Sequence, residues 1–140
     1  MKLIRLAQPT LLLRIIIAIM LLSHGIPGML NGGVMDFGKL YLNEIGFAPY
    51  GVALAWTIKI SHVICAILLI VDKYIFPACL FTIAIMVAGI ILIHFNEGWF
   101  VVGGGRNGME YNVLIIFVLL QIMVNSWNKK NKVQYSIAKK

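Results

Sequence analysis

Two side chains in the middle of an apolar run carry the strongest chemical signal in this sequence. Lys59 and His62 lie three residues apart in "WTIKISHVICAIL", so on a helix they share one face, flanked by Ser61 and Cys65. An ammonium beside an imidazole can hold an anion or a carbonyl oxygen and can pass a proton. Two further histidines, His24 and His94, also sit in or at the end of apolar runs. Arg106 and Glu110 stand at the mouth of the last one. These six residues form the candidate polar pocket: His24, Lys59, His62, His94, Arg106 and Glu110. Three histidines on three separate segments lack the spacing of a metal or haem motif, so no metal site is expected.

The elements that position them follow from composition. The 140-residue chain is 61% hydrophobic and 12% charged. A soluble domain is nearer half apolar and a quarter charged. A chain this short cannot hide so much apolar surface in its own core, so lipid is the expected solvent. Four stretches are long enough to cross a bilayer: Leu11 to Leu30, Tyr50 to Val71, Ile75 to His94 and Met109 to Trp127. The expected fold is all-α, a four-transmembrane-helix bundle over residues 1–127 with a basic cytoplasmic tail over 128–140. Asp72, Lys73 and Tyr74 make a tight hairpin between the second and third helices. Pro77 falls in the first turn of the third, where its missing N–H does no harm. The basic start resembles a signal peptide, but no small-x-small cleavage site follows, and a retained first helix is expected.

The net charge of +7 comes mostly from the chain ends. Lys2, Arg5, Arg14, Lys73, Lys129, Lys130, Lys132, Lys139 and Lys140 fall on one side of the four spans. Lys39 and Arg106 fall on the other. The Lys/Arg bias puts both termini in the cytoplasm. The tail is expected to fray near anionic headgroups. No basic and aromatic residues interleave on an open surface, so nucleic acid is not an expected partner. With this topology every intramembrane ionisable group lands in the outer half of the bilayer. Such groups are costly, by about 2.5–3.5 kcal/mol for a central Lys or Arg. Glu110 is the carboxylate placed to pair with Lys59, Arg106 or a histidine. Local alternatives stand beside each reading. Lys59 can snorkel to the interface, and His24 can satisfy carbonyls freed around Pro27. His94 can sit at the headgroup boundary. Asn107 and Glu110 can form a capping box. Cys65 and Cys79 are expected to pack as small apolar residues, a redox pair being the alternative.

The two outer loops also have content. "VMDFGKLYLNEIGF" places Phe37, Leu40, Tyr41, Glu44 and Ile45 at helical spacing, with Asp36 as its cap. This predicts a short amphipathic helix, either a lid or an interfacial segment. Gly103, Gly104 and Gly105 precede Arg106 without the lysine and hydroxyl of a phosphate loop. They can bring exposed N–H groups and Arg106 to the mouth of the bundle, where an anion or a ketone oxygen would be attracted. Trp99 and Phe100 are expected as interfacial anchors.

The segments "LLRIIIAIMLLSHGIPGML", "GFAPYGVALAW" and "HFNEGWFVVGGGRNGMEYN" resemble the DoxX family of small membrane proteins. The resemblance covers nearly the whole chain apart from the tail, and the last motif is the most specific. It implies a four-helix bundle in the bacterial cytoplasmic membrane. It also implies a link to redox chemistry, since relatives include a small subunit of a thiosulfate–quinone oxidoreductase and a membrane member of a thiol and superoxide detoxification assembly. Many relatives carry an acidic residue in the second helix, followed by glycines, where this chain has Lys59 and His62. Matching positions carry over His24, Arg106 and Glu110 as functional candidates. The functions to be tested are a redox-linked membrane subunit binding quinone or a sulfur oxyanion, an accessory subunit of a larger membrane complex, and a small transporter. The expected partners are the bilayer and other membrane subunits. No intrinsic cofactor is expected beyond a bound quinone.

Overall fold

A computed structural model describes residues 9–102 and 107–139. Five helices account for most of them. Helix α1 is Leu11–Leu30. Helix α2 covers residues 33–47, beginning as an α-helix over Gly33–Asp36 and continuing in wider π turns over Phe37–Phe47. Helix α3 is Gly51–Ile70. Helix α4 starts as Ile75–Gly89, passes through a π turn at Ile90–His94 and ends in a 3₁₀ turn at Phe95–Glu97. Helix α5 is Glu110–Ala138. Four of these are long and apolar enough to cross a membrane, over Leu11–Leu30, Gly51–Ile70, Ile75–Glu97 and Glu110–Lys129. Twenty residues at 1.5 Å rise span about 30 Å, the thickness of the hydrocarbon core. The chain is an integral multi-pass membrane protein.

Helix α1 packs chiefly on α3, and α4 on α5, with α3 and α4 joined by the hairpin. The core runs between them through Ile17, Leu21, Leu69, Ile115, Leu119 and Ile122. Ala18 and Ala66 are fully buried at the α1–α3 contact level, where small side chains let backbones approach closely. Cys65 and Cys79 are free thiols buried in the same core, packing as the sequence predicts.

The hairpin end is fastened by charge. Asp72 and Tyr74 adopt left-handed backbone conformations with φ of 58° and 50°. Such conformations are costly for residues other than glycine, least so for Asp and Asn. The turn they form aims the Asp72 carboxylate inward. One oxygen accepts from the Arg14 guanidinium of α1, and the other accepts from Lys129 Nζ of α5 at 3.1 Å. Arg14 is 3% exposed. One carboxylate therefore ties the first and last spans to the turn between the middle two. Sequence reasoning treated Arg14 only as a flanking charge and Asp72 only as a turn residue.

The opposite end, here termed the loop end, is covered by α2. Its buried residues are Val34, Gly38 and Leu42, spaced four apart, while Leu40 is 71% exposed and Tyr41 and Ile45 are partly so. The expected short helix is present, and its packed face is Val34, Gly38 and Leu42 with Phe37 beside them. Gly38 decides this, because it has no side chain and its backbone lies directly against Gly51 and Val52 at the start of α3. A Cβ on Gly38 would overlap the Val52 backbone, and one on Gly51 would overlap the Gly38 carbonyl. Asn43 adds a cap across the contact. Its Oδ1 accepts from the Gly51 N–H at 3.0 Å, satisfying one of the donors that a helix start leaves open. Asp36, predicted as the cap of α2, lies inside the helix, which starts after Gly32 at φ 82°.

Helix α5 does not stop where its apolar run ends. It continues beyond the candidate span to Ala138, so the segment expected as a loose tail extends the last helix.

Candidate functional site

The site begins at Pro27. Inside α1 this residue offers no N–H, so the carbonyl one turn earlier, that of Ser23, loses its helical partner. At the adjoining carbonyl, that of His24, the structure places a donor from another helix. Lys59 Nζ of α3 donates to His24 O at 2.9 Å. The Lys59 stem passes Gly28, with Cε 3.7 Å from where a Cβ would stand. Its ammonium also sits 5.7 Å from the centroid of the Phe37 ring of α2, a cation–π distance. Lys59, half-buried, therefore reaches across the α1–α3 contact towards α2.

One turn deeper on the same face lies His62, 5% exposed. Its Cβ is 3.8 Å from the position a Cβ on Gly25 would take, so the bare backbone of α1 opens the space it occupies. Neither His62 ring nitrogen has a hydrogen-bond partner among the described residues. Buried polar groups are hydrogen-bonded in the great majority of structures, and an unsatisfied one costs about 1–3 kcal/mol. His24 itself is exposed on α1. Lys59 and His94 both lie within electrostatic range of it, and Lys59 and His24 lie within range of His62. Exposure thus falls from His24 through half-buried Lys59 to buried His62. The three follow one another inward from the loop end, at roughly 9, 12 and 16 Å along their helices by the 1.5 Å rise.

His94 ends the π turn of α4 and leans towards α5. Its Nδ1 donates to the Asn107 carbonyl at 2.5 Å, and its ring lies beside Gly89 and the Asn112 side-chain amide. Asn112 is a polar group of this end that sequence reasoning missed. An amide one turn inside an apolar run was the available signal.

Among the described residues Glu110 bonds to backbone amides, which the sequence reading did not anticipate. Its Oε1 accepts from the backbone N–H groups of Val101 at 2.9 Å and Val102 at 3.4 Å. The Met109 and Glu110 amides donate back to the Gly98 and Trp99 carbonyls at 3.1 and 3.0 Å. The carboxylate holds the loop against the start of α5. It forms no ion pair with Lys59 or with a histidine, and α5 starts at Glu110 itself, too late for a capping box from Asn107. Arg106 and the three glycines before it lie outside the described residues. Glu110→Ala is expected to release both loop amides. Limited proteolysis between Gly98 and Gly108 should then quicken roughly tenfold, as a local loss of about 1.4 kcal/mol implies, whereas Glu110→Gln, which keeps an acceptor, should stay close to the parent.

Among the described residues, no three His, Cys, Asp or Glu side chains converge as ligands for a metal ion. Among the described residues the loop end is instead a set of hydrogen-bonding groups around the Lys59 amine and the His62 ring. It can orient an oxygen-bearing group. No family model matches the chain, and no curated protein or solved structure matches it.

Proposed function

Taking four membrane spans and a polar cluster under α2 as the premise, we propose that the chain is a DoxX-like, redox-linked membrane subunit. It binds a quinone or a small sulfur oxyanion at the loop end of the bundle. The observation that carries this reading is Lys59 and His62, one turn apart, directed into the α1–α3 contact, with the His62 nitrogens unpartnered. In this reading Lys59 and His62 hold the ligand oxygens and His24, the exposed member, exchanges protons with the surface. Electrons come from a partner subunit or from the quinone. The membrane is the bacterial cytoplasmic membrane. The hairpin end faces the cytoplasm, because Arg14, Lys73 and Lys129 gather there, and the loop end faces outward.

The test uses the full chain purified gently from its native membrane. Extracted lipids are assayed for quinone, and binding of a short-chain ubiquinone and of thiosulfate is measured by quenching of tryptophan fluorescence. Trp56 lies one turn from Lys59. Saturable binding of at least one of the two, lost in His62→Phe, is expected. Failure of both to bind sinks the reading. An accessory role draws on α5, which turns Leu114, Phe117 and Val124 outward. That role would show as falling abundance of co-purifying membrane proteins in α5 variants, with no ligand bound.

A further inference from the structure

We infer that the outward face of α5 is a dimer interface: two copies in one membrane pair their α5 helices side by side and in parallel, with Gln121 opposite Gln121. The face is continuous. From Leu114 the exposed positions run through Phe117, Gln121, Val124, Asn128 and Asn131, in alternating steps of three and four. Tyr135, also exposed, extends the series. This is the a/d pattern of a coiled coil, with Leu114, Gln121, Asn128 and Tyr135 at a positions, and it is kept over three repeats of seven. The core members Ile115, Leu119 and Ile122 lie on the opposite side of the helix, against the rest of the bundle.

The apolar members of this face need no partner in lipid, but Gln121 does. It lies about 17 Å from the start of its span, near the middle of the hydrocarbon. Its backbone carbonyl accepts from Asn125 Nδ2 at 2.9 Å, and its side-chain amide bonds to no described residue. An amide facing hydrocarbon has no water to bond, and another helix is its source of partners. Two copies inserted in the same sense are related by an axis along the membrane normal. Their α5 helices then run parallel, and equal residues meet at equal depth. The amide is complementary to itself, with N–H groups to donate and an oxygen to accept. A second copy brings such a group to this depth by symmetry alone, whereas an unrelated helix would need one placed there. Polar residues at a positions also fix register. Charge suits the pair. No lysine falls on the seam, and counted in the same register Lys132 and Lys139 take e positions. In a parallel pair these stand opposite the g positions, Trp127 and Gln134, of the second copy, so no like charges are opposed. The helix continues past the span to Ala138, and the described side chains beyond Lys129, those of Asn131, Tyr135 and Lys139, are exposed. So short a helical stretch is marginal in water without packing. A second copy supplies that packing along the same seam.

The experiment is cysteine cross-linking of the full-length protein with copper phenanthroline, first in the membranes of its expression host. The parent, whose Cys65 and Cys79 are buried, is the blank. Asn131→Cys, on the seam, is expected to give a disulfide-linked dimer. Lys130→Cys, off the seam, is expected to give about tenfold less. The cross-linked fraction of Asn131→Cys is then followed as purified protein is diluted with phosphatidylcholine in vesicles. Adding Gln121→Leu should raise the protein-to-lipid ratio at half-dimerisation by about tenfold, as the loss of an interhelical hydrogen bond in a membrane implies. Adding Gln121→Asn, which keeps an amide, should leave most of the pairing. Gln121 faces away from the bundle core, so the leucine leaves the packing of the monomer in place. Absence of a cross-linked dimer, equal cross-linking at positions 130 and 131, or pairing unchanged by Gln121→Leu would each overturn the inference. An adduct of Asn131→Cys with a different membrane protein in place of the dimer overturns it too, because the face would then belong to that protein.

Discussion

Asp72→Ala is expected to lower the stability of the bundle by about 3 kcal/mol, the lower end of the range for breaking a buried ion pair. The lower end applies because the Asp72 side chain is about a third exposed while Arg14 is buried. The loss has two parts. The Arg14 guanidinium keeps its position inside α1 but loses the carboxylate it faces. The α3–α4 turn also loses the contacts that hold Asp72 in its left-handed conformation. Thermal unfolding in detergent, with Lys129→Ala alongside, checks the assignment. The Lys129 side chain is 60% exposed, so its half of the arrangement should be worth less than about 1 kcal/mol. Adding Arg14→Met to Asp72→Ala should recover much of the loss, since exchanging both partners of a buried pair for apolar groups is often neutral. Equal stability of Asp72→Ala and the parent would refute a fastening role for this carboxylate.

The second large effect is expected at Gly38. Gly38→Leu should cost about 3 kcal/mol or more, at or above the usual range for overpacking. The obstruction is the backbone of Val52 and Gly51, which cannot rotate aside as a side chain can. Helix α2 would have to lift. Val34, Leu42 and Ala55, which are 1%, 3% and 0% exposed, would lose their shared packing. A cysteine at position 42 should then react rapidly with a membrane-impermeant maleimide, where the same cysteine beside Gly38 stays protected. Protection in both backgrounds would show that α2 is not held by this crossing. The variant also bears on the site. Phe37 belongs to α2 and its ring faces Lys59, so lifting α2 removes one of the two groups that hold the ammonium.

These two predictions depend on contacts of very different legibility. Gly38 and Gly51 are visible in the sequence as small residues, but nothing local shows that they meet. The choice between the Val34–Gly38–Leu42 face and the Phe37–Leu40–Tyr41 stripe depends on which face can approach α3 closely. Apolar spacing alone does not select between them, because an interfacial helix exposes apolar residues as well as burying them. Glu110 shows the same limit for charge. The sequence offers Lys59, Arg106, the histidines and a cap as its partners. Among the described residues Glu110 takes the Val101 and Val102 amides, because the loop doubles back beside the start of α5, while Arg106 lies outside the described residues.

The four spans were determined by the sequence alone, since a long apolar run in a bilayer has no other way to satisfy its backbone. The clustering of His24, Lys59 and His62 towards one end of the bundle was determined there too. Their distances from the helix ends are set by residue count, and alternating helix directions bring those distances into register. Only the tertiary structure decided which groups touch. The rotation of α1 against α3 set Lys59 on the His24 carbonyl and buried His62. The left-handed turn at Asp72 gave Arg14 its carboxylate and left Lys59 with none. Those outcomes follow from helix rotation and backbone approach, quantities that hydropathy and spacing do not encode.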